Sequence, residues 1–434
     1  MTETFSEEAI NAQAEQSGFA RRRSKLNGVQ FLKMILFDQI IIDQPSLQQH
    51  CTSIFSDRRK KISKQALDKR FNANAVSFIQ NLFEQYLQRQ LSANKLSSTF
   101  SDHFSAIRIM DSTEFKLPEC MAEEFPGFGG DGTKSCTQIQ YEYDILSSKI
   151  NHFRIGNART TDFAYASDYL DSIQSGELII RDLGYSKIGS FKEMEERKAF
   201  YISRLHPQTN IYERQGKAFV KLSYQSIIKR LKKSGRKYLD MPIYLGDEWK
   251  HPVRLTANLL TEDARKRRLT KKIYRKNKDN KKYKSLSHLN LFITNVPHSI
   301  LSPDQVHCLY RVRWQIELIF KTWKSVLKLN QVRKMKAYRF KCYLLSKLLW
   351  IVMSWEVWSL FNERVRQVTN CLLSVYKCFA IIKSHASALK QIFFSHQKEN
   401  FKRWLKNLYE ILAEFGLKEN RKGRINLITL LMLK

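Results

Sequence analysis

The stretch YRVRWQIELIFKTWK, Tyr310 to Lys324, decides how this chain is read. At about 100° per residue, Tyr310, Arg313, Glu317 and Lys324 fall within an arc of roughly 60° on one helical stripe, with Lys321 and Lys328 on or beside it. A single acid therefore stands among cations. Ile316, Ile319, Trp323, Val326 and Leu327 gather on a neighbouring face, which predicts a helix anchored in a core on one side and polar on the other. Taken alone, the stripe also reads as a solvated face laced by Arg313, Glu317 and Lys321 at i,i+4 spacing. The rest of the chain favours the functional reading.

Immediately upstream, LFITN reads as a strand that leads through Pro297 and Pro303 into this helix. Further upstream, from about residue 104, the pattern is of short strands: IRIMD ending in Asp111, TQIQYEYDILS, NHFRIGNAR, and the buried run ELIIRD ending in Asp182. DFAYASDYLDSI and SFKEMEER read as helices, so strands and helices alternate as in an α/β core with a mixed sheet. An aspartate at a strand end is commonly a turn former, but in open α/β sheets chemistry collects at the carboxyl ends of strands. Two such acids, plus the lone acid of the helix, form a candidate constellation.

Residues 205–288 read as an insertion of strands (VKLSY, MPIYLGD, HPVRLTANLL) and basic loops, with 12 Lys and Arg between Arg265 and Lys284. Beside Tyr274 and Tyr283, such a run suits a phosphate-tracking surface as well as a solvated loop. Residues 1–95 read as helical, over Phe31–Ile42 and Val76–Leu91. Between those, Ser63–Phe71 starts on a good N-cap in a weak helix-turn-helix pattern that offers Lys64, Gln65, Asp68, Lys69 and Arg70 to DNA. The apolar tract Leu344–Phe361 is interrupted by Lys347 and Glu356, leaving too short a run to span a bilayer, and reads as a buried helix.

At 434 residues the chain exceeds one compact domain. Its 74 Lys and Arg against 41 Asp and Glu give a net charge of +33, which implies a polyanionic partner, nucleic acid first. Seven scattered cysteines show no CxxC pair and no zinc spacing, as expected of reduced thiols in a cytoplasmic protein. The acidic, polar N-terminus lacks the pattern of an export signal. In GFGGDGTKS, Gly127–Ser135, Thr133 separates Gly132 from Lys134 and the loop leads into a strand, so it reads as a surface turn rather than a phosphate loop. There is no metal-ligand histidine pair and no GxSxG elbow.

Asp111, Asp182 and Glu317 remain. Three carboxylates brought together need countercharge, and they suit two hard divalent cations with oxygen ligands. Such a pair supports in-line phosphoryl transfer. Arg313 and Lys324 can then hold backbone phosphates while Tyr310 donates a hydrogen bond or stacks. Lys321, Arg204, Arg267, Arg268, Lys271 and Lys272 are further candidates for DNA contact.

Tyr310, Arg313, Glu317 and Lys324 match at every spacing a Y-(2)-R-(3)-E-(6)-K signature, with DSTEFKLP at Asp111 and DLGY at Asp182 in the same order. Over roughly residues 100–350 the chain resembles the DDE transposases of bacterial insertion sequences. The resemblance implies an RNase H-like mixed sheet with flanking helices (96–204 and 289–350), interrupted by a mainly β insertion at 205–288. A helical DNA-binding domain at 1–95 and a helical C-terminal region at 351–434 flank it.

It further implies Mg²⁺-dependent cutting and joining of double-stranded DNA, with Mn²⁺ able to substitute, and a homodimer in the synaptic complex. Asp111, Asp182 and Glu317 would be the metal ligands, and Tyr310, Arg313 and Lys324 would bind the transposon-end phosphates. Some relatives that excise through a hairpin carry a Trp at the start of the strand before the signature helix. Here that strand begins Leu289, Asn290, Leu291, and no spacing argument makes Trp249 a substitute. A catalytically silent DNA-binding repressor, or another RNase H-like nuclease, is the alternative.

Overall fold

The computed structural model describes residues 6–20, 26–89, 100–128, 133–159, 169–185, 187–277, 279–392 and 398–419. Its centre is a ten-stranded sheet in the order β3-β2-β1-β4-β5-β10-β9-β8-β6-β7. The strands are β1 Ala106–Lys116, β2 Cys136–Asp144, β3 Ile150–Asn157, β4 Glu177–Arg181, β5 Phe200–Arg204, β6 Ile211–Gln215, β7 Ala218–Lys221, β8 Leu239–Leu245, β9 His251–Leu259 and β10 Leu289–Thr294. β1, β4 and β5 run parallel and the other pairings are antiparallel. The strands of residues 205–288 thus continue the same sheet, with β9 hydrogen-bonded to β10.

The two faces of the central strands enter different cores, because successive side chains point to opposite sides of a strand. Ile107, Ile109, Leu178, Ile180, Ile202 and Phe292 face one core. Ile179, Tyr201, Leu291 and Ile293 face the other. Strands covered on both faces carry continuous apolar runs, which is why ELIIRD reads as it does.

One correction concerns Asp111. It lies in the middle of β1, opposite Tyr141 of β2, and does not end the strand. The parallel pairing with β4 does stop there, since its last register pair is Met110↔Arg181. Asp111 and Asp182 are the next residues on two adjacent strands.

Helices α1 Glu7–Gln16, α2 Gly28–Ile41, α3 Leu47–Arg58, α4 Lys64–Arg70 and α5 Ala73–Arg89 precede the sheet. α2 is buried nearly all round, and α2 and α5 both pack on the 33-residue α13, Ala337–Thr369. The ring of Phe37 meets Trp350 edge-on at 5.7 Å, and Tyr86 donates a hydrogen bond to Glu356. By length and composition α13 could cross a membrane, but 83% of its most apolar window is buried inside the protein. Ser63 caps α4 as the sequence predicts. However, Asp68 is paired with Lys336 and Arg339, and Arg70 donates to Leu26 O while lying over the Phe19 ring, so both side chains fasten the helix. Lys64, Gln65 and Lys69 are exposed.

Between β4 and β10 lie α6 Ile188–Glu196, α7 Tyr224–Ser234, α8 Glu262–Leu269, α9 Lys272–Lys276 and α10 Lys281–Leu286. The basic run is therefore three short helices rather than loops, and α7 begins inside the segment VKLSY. The helix expected over 162–173 falls largely outside the described residues; its described end is a 3₁₀ turn, Leu170–Ser172. The loop after Gly127 is closed by Gly127 N–H donating to Lys134 O at 2.8 Å. α11 Pro303–Val312 and α12 Trp314–Ser325 follow β10, and α14 Val375–Ser384, α15 Ala386–Ile392 and α16 Lys398–Phe415 close the described chain.

Candidate active site

The period of the strands builds the site. On β1 the series Ile107, Ile109 continues to Asp111, on β4 the series Leu178, Ile180 continues to Asp182, and on β5 Ile202 is followed by Arg204. All three polar residues point to the sheet face on which α11 and α12 lie. Those helices are held by buried Val306, Leu309 and Val312 and by Ile316, Ile319, Trp323, Val326 and Leu327, the five that the sequence predicts for the apolar side of the signature stretch.

The stretch is not one regular helix, which corrects the single-stripe picture. It breaks at Arg313, where i→i−3 bonds replace the α pattern: Arg313 N–H to Tyr310 O at 3.2 Å and Ile316 N–H to Arg313 O at 3.1 Å. The break turns the Arg313 side chain inward, among the acids. Its Nη1 donates to Asp111 Oδ2 at 2.6 Å, its Nη2 donates to Glu317 Oε1 at 2.9 Å, and its Nε stands 4.0 Å from Asp182 Oδ1. Tyr310, itself buried, donates its hydroxyl to Asp182 Oδ1 at 2.9 Å. Side chains from β1, the turn after β4 and the helix pair thus meet around one guanidinium.

Burial pushes the Asp182 carboxyl up, but the Arg313 charge, the Leu183 N–H and the Tyr310 hydroxyl outweigh it and hold it below the usual carboxylate range. Burial and the Asp182 charge push the Tyr310 phenol up. Burial disfavours the Arg313 cation, yet Asp182, Asp111 and Glu317 more than restore it. Among the described residues no three His, Cys, Asp or Glu side chains stand close enough to hold a metal ion, and the Arg313 cation lies between the acids.

Lys324 Nζ donates to Glu114 O at 3.0 Å, and burial lowers its pKa. Arg204 lies 5.4 Å over the Tyr310 ring. Lys321 does not extend the Arg313–Glu317 pair; it is exposed, 5.3 Å over the Trp314 ring. Of the basic run, Arg267 and Lys271 are exposed and distant in sequence from the acids. Arg268 turns inward and donates to the carbonyls of Leu286 and Leu289. The Lys272 side chain is outside the described residues.

Trp249 sits in the turn between β8 and β9, 53% exposed, with Lys192 4.5 Å over its ring. The register places that turn at the end of the sheet opposite Asp182, since His251 pairs with Leu245 while Arg204 pairs with Phe292.

Two lysines that sequence reasoning missed hold the carbonyl end of α12. Lys347 Nζ donates to Leu327 O at 3.0 Å and Lys328 O at 3.3 Å; Lys383 Nζ donates to Val326 O at 3.0 Å and pairs with Asp43. Cations at a helix C-terminus satisfy carbonyls that have no partner within the helix. The only sequence signal was Lys347 itself, a charge inside an apolar run.

A family model described as Transposase DDE domain matches residues 102–353, which is more than half of the chain and spans all three acids. The chain belongs to this family. Like the relatives it matches, it is a transposase of the insertion-sequence type. This transposase is 29% identical to the transposase for insertion sequence element IS231B of Bacillus thuringiensis subsp. berliner, over 98% of this chain and 91% of that one. It is 30% identical to that of IS231F of subsp. israelensis over 95% and 90%, and 28% identical to that of IS1151 of Clostridium perfringens over 100% and 95%. A cryo-EM structure of the piggyBac transposase synaptic complex with hairpin DNA aligns at TM-score 0.46 and 11% identity, covering 98% of this chain and 86% of that one.

Proposed function

We propose that this transposase binds the terminal inverted repeats of its element and cuts and joins DNA with Asp111, Asp182 and Glu317 as the catalytic acids, on an RNase H-like core. The order β3-β2-β1-β4-β5, with β1, β4 and β5 parallel and β2 antiparallel to both neighbours, supports that core. The observation that carries the reading is the convergence of the three acids on one cation, Arg313, although they are 71 and 135 positions apart in sequence (182 − 111 and 317 − 182).

An all-oxygen donor set drawn to a single positive centre fits Mg²⁺, with Mn²⁺ as a substitute, once Arg313 withdraws. Such ions, when bound, activate the attacking water or 3′-hydroxyl and neutralise charge on the leaving oxygen. The chain's own groups do the rest. Arg313, released from the acids, and Lys324 hold phosphates beside the site, and Tyr310 orients Asp182 through its hydroxyl. Arg204 covers the Tyr310 ring, while Lys321, Arg267 and Lys271 offer exposed cations to the backbone of double-stranded DNA. Two copies of the chain bring two element ends together as a homodimer.

The test is cleavage of DNA carrying the element's own ends. In Mg²⁺ the wild type should cut and then join a 3′-OH end into a target plasmid, while Asp182→Asn should bind and do neither. Wild type no more active than Asp182→Asn sinks the enzyme and leaves a DNA-binding protein. Cutting without joining indicates a nuclease of another kind.

A further inference from the structure

The register of the sheet shows which side chains share an end with the acids. Asp182 follows β4, Arg204 closes β5, Leu289 opens β10, Leu259 closes β9 and Leu239 opens β8, and all of these termini lie at the same end. Cations follow that row outward. Arg204 is succeeded by Arg268, whose guanidinium caps Leu289 O. Next comes Arg265, whose Nε donates to Ser287 Oγ at 3.4 Å, and then the C-terminal part of α7 and its exit into β8, where Lys232, Lys233 and Arg236 are exposed.

α7 packs on α10, β8 and β9 through Tyr224, Ile227 and Leu231, so its lysines face outward from a fixed helix. Lys282 of α10 lies 5.8 Å over the Tyr224 ring. Two of the neighbouring acids are committed, Glu213 to Arg230 at 2.8 and 2.7 Å and Glu262 to Arg265 at 3.3 Å, while Asp263 is exposed on α8. Burial first, and then the Arg265 charge, lower the pKa of His288, with Glu262 opposing and Lys232 adding to the shift.

We propose that this end of the sheet is a phosphate track for the same duplex whose scissile phosphate lies at the three acids, with the exposed Lys232, Lys233 and Arg236 as its distal contacts and the inward-turned Arg268 bracing the backbone beneath it. This rests on the catalytic reading above. β4 and β8 are four strand spacings apart at about 4.8 Å each, or roughly 19 Å. At about 3.4 Å per base pair, the distal contacts fall about five to six positions from the cut.

Ethylation interference on a duplex carrying the element end tests this, with full-length wild type and the variant Lys232→Ala/Lys233→Ala/Arg236→Ala. The expected result is interference at the cut and again about five to six positions away in wild type, with only the distal signal lost in the variant. The slope of log Kd against log salt should flatten by about 0.9 per contact removed, or roughly 3 in all. An unchanged pattern and slope would overturn the track, and so would uniform weakening at every phosphate, which denotes a general charge effect. Binding and interference are read without cleavage. Failure of Asp182→Asn to separate from wild type therefore refutes the catalytic reading, whereas loss of distal interference alone decides the track.

Discussion

Replacing Arg313 by Met keeps an unbranched stem and removes the guanidinium whose charge three carboxylates share. The guanidinium makes two short ion pairs, 2.6 Å to Asp111 and 2.9 Å to Glu317, and stands 4.0 Å from Asp182. At an effective dielectric of about 20, one pair at 4 Å is worth about 4 kcal/mol before desolvation. Losing one partner of a buried pair costs about 3–5 kcal/mol. Asp182 and Glu317 keep 40% and 37% of their side-chain surface in contact with water. Screening therefore brings the expected loss of stability to about 2–4 kcal/mol.

On the proposed reading, the three acids left behind should then bind Mg²⁺ more readily than they do in the wild type. A site filled at a hundred times its Kd adds about 3 kcal/mol. The assay is urea unfolding followed by tryptophan fluorescence, in EDTA and in Mg²⁺ at matched ionic strength. Arg313→Met should unfold at lower urea than wild type in EDTA and recover most of the difference in Mg²⁺, while wild type gains less because its arginine competes. Equal stability in EDTA, or equal gains from Mg²⁺ in both proteins, refutes the idea that the arginine stands in the place of the metal.

Three other outcomes are expected. Burial holds the Lys347 ammonium down to about 8 from 10.5. A depressed lysine leaves the unfolded chain holding more protons between those values, so stability from this group rises with pH across pH 8 to 10.5, by about 3 kcal/mol. Unfolding of Lys347→Met at pH 7.5 and 10 should lack that rise, and identical pH profiles would discard the assignment. Tyr310→Phe removes a charge-assisted hydrogen bond to Asp182, costing about 1.5–3 kcal/mol. The depressed Asp182 carboxyl contributes stability above its ordinary pKa that is lost as acid protonates the folded state. In Tyr310→Phe that contribution should be smaller and should disappear at a higher pH, as read from unfolding between pH 2 and 5. Finally, a Cβ on Gly28 would lie 2.6 Å from Ala14 Cβ where α1 crosses α2. Gly28→Ala should therefore destabilise by about 1–3 kcal/mol in thermal unfolding, and a stabilised variant would contradict that crossing.

Local periodicity made much of this architecture legible. The strands around Asp111 and Asp182, the buried faces of the signature stretch and the long apolar helix follow from patterns of period two and 3.6. What sequence could not supply depends on distant partners. Nothing local stops β1 at Asp111 or continues it; β2 carries it on, while the end of β4 leaves the carboxylate free to turn toward the helices. The inward turn of Arg313 depends on acids up to 202 positions away. Asp68 and Arg70 looked like DNA contacts because their partners, Lys336 and Arg339 at the start of α13 and the Leu26 carbonyl, are distant in sequence. α7 was a different kind of miss. Its cap at Ser223, its apolar residues Tyr224, Ile227 and Leu231, and Gly235 at φ +63° are an ordinary helix signature, hidden by the strand-like segments on either side.

Nearly every side of α2 is covered, and part of that cover is α13. The described helices ahead of the sheet are consequently covered in part by a helix from the far end of the chain. Expressed alone, they would present Phe37 and the flank of α5 to water and should aggregate. A graft of this amino-terminal segment onto another recombinase would need a counterpart of Trp350 and Glu356 waiting to receive it. On the proposed reading of this segment as the part that binds the element's ends, a change of end preference would come by substitution at exposed positions such as Lys64, Gln65 and Lys69, rather than by exchange of the whole segment.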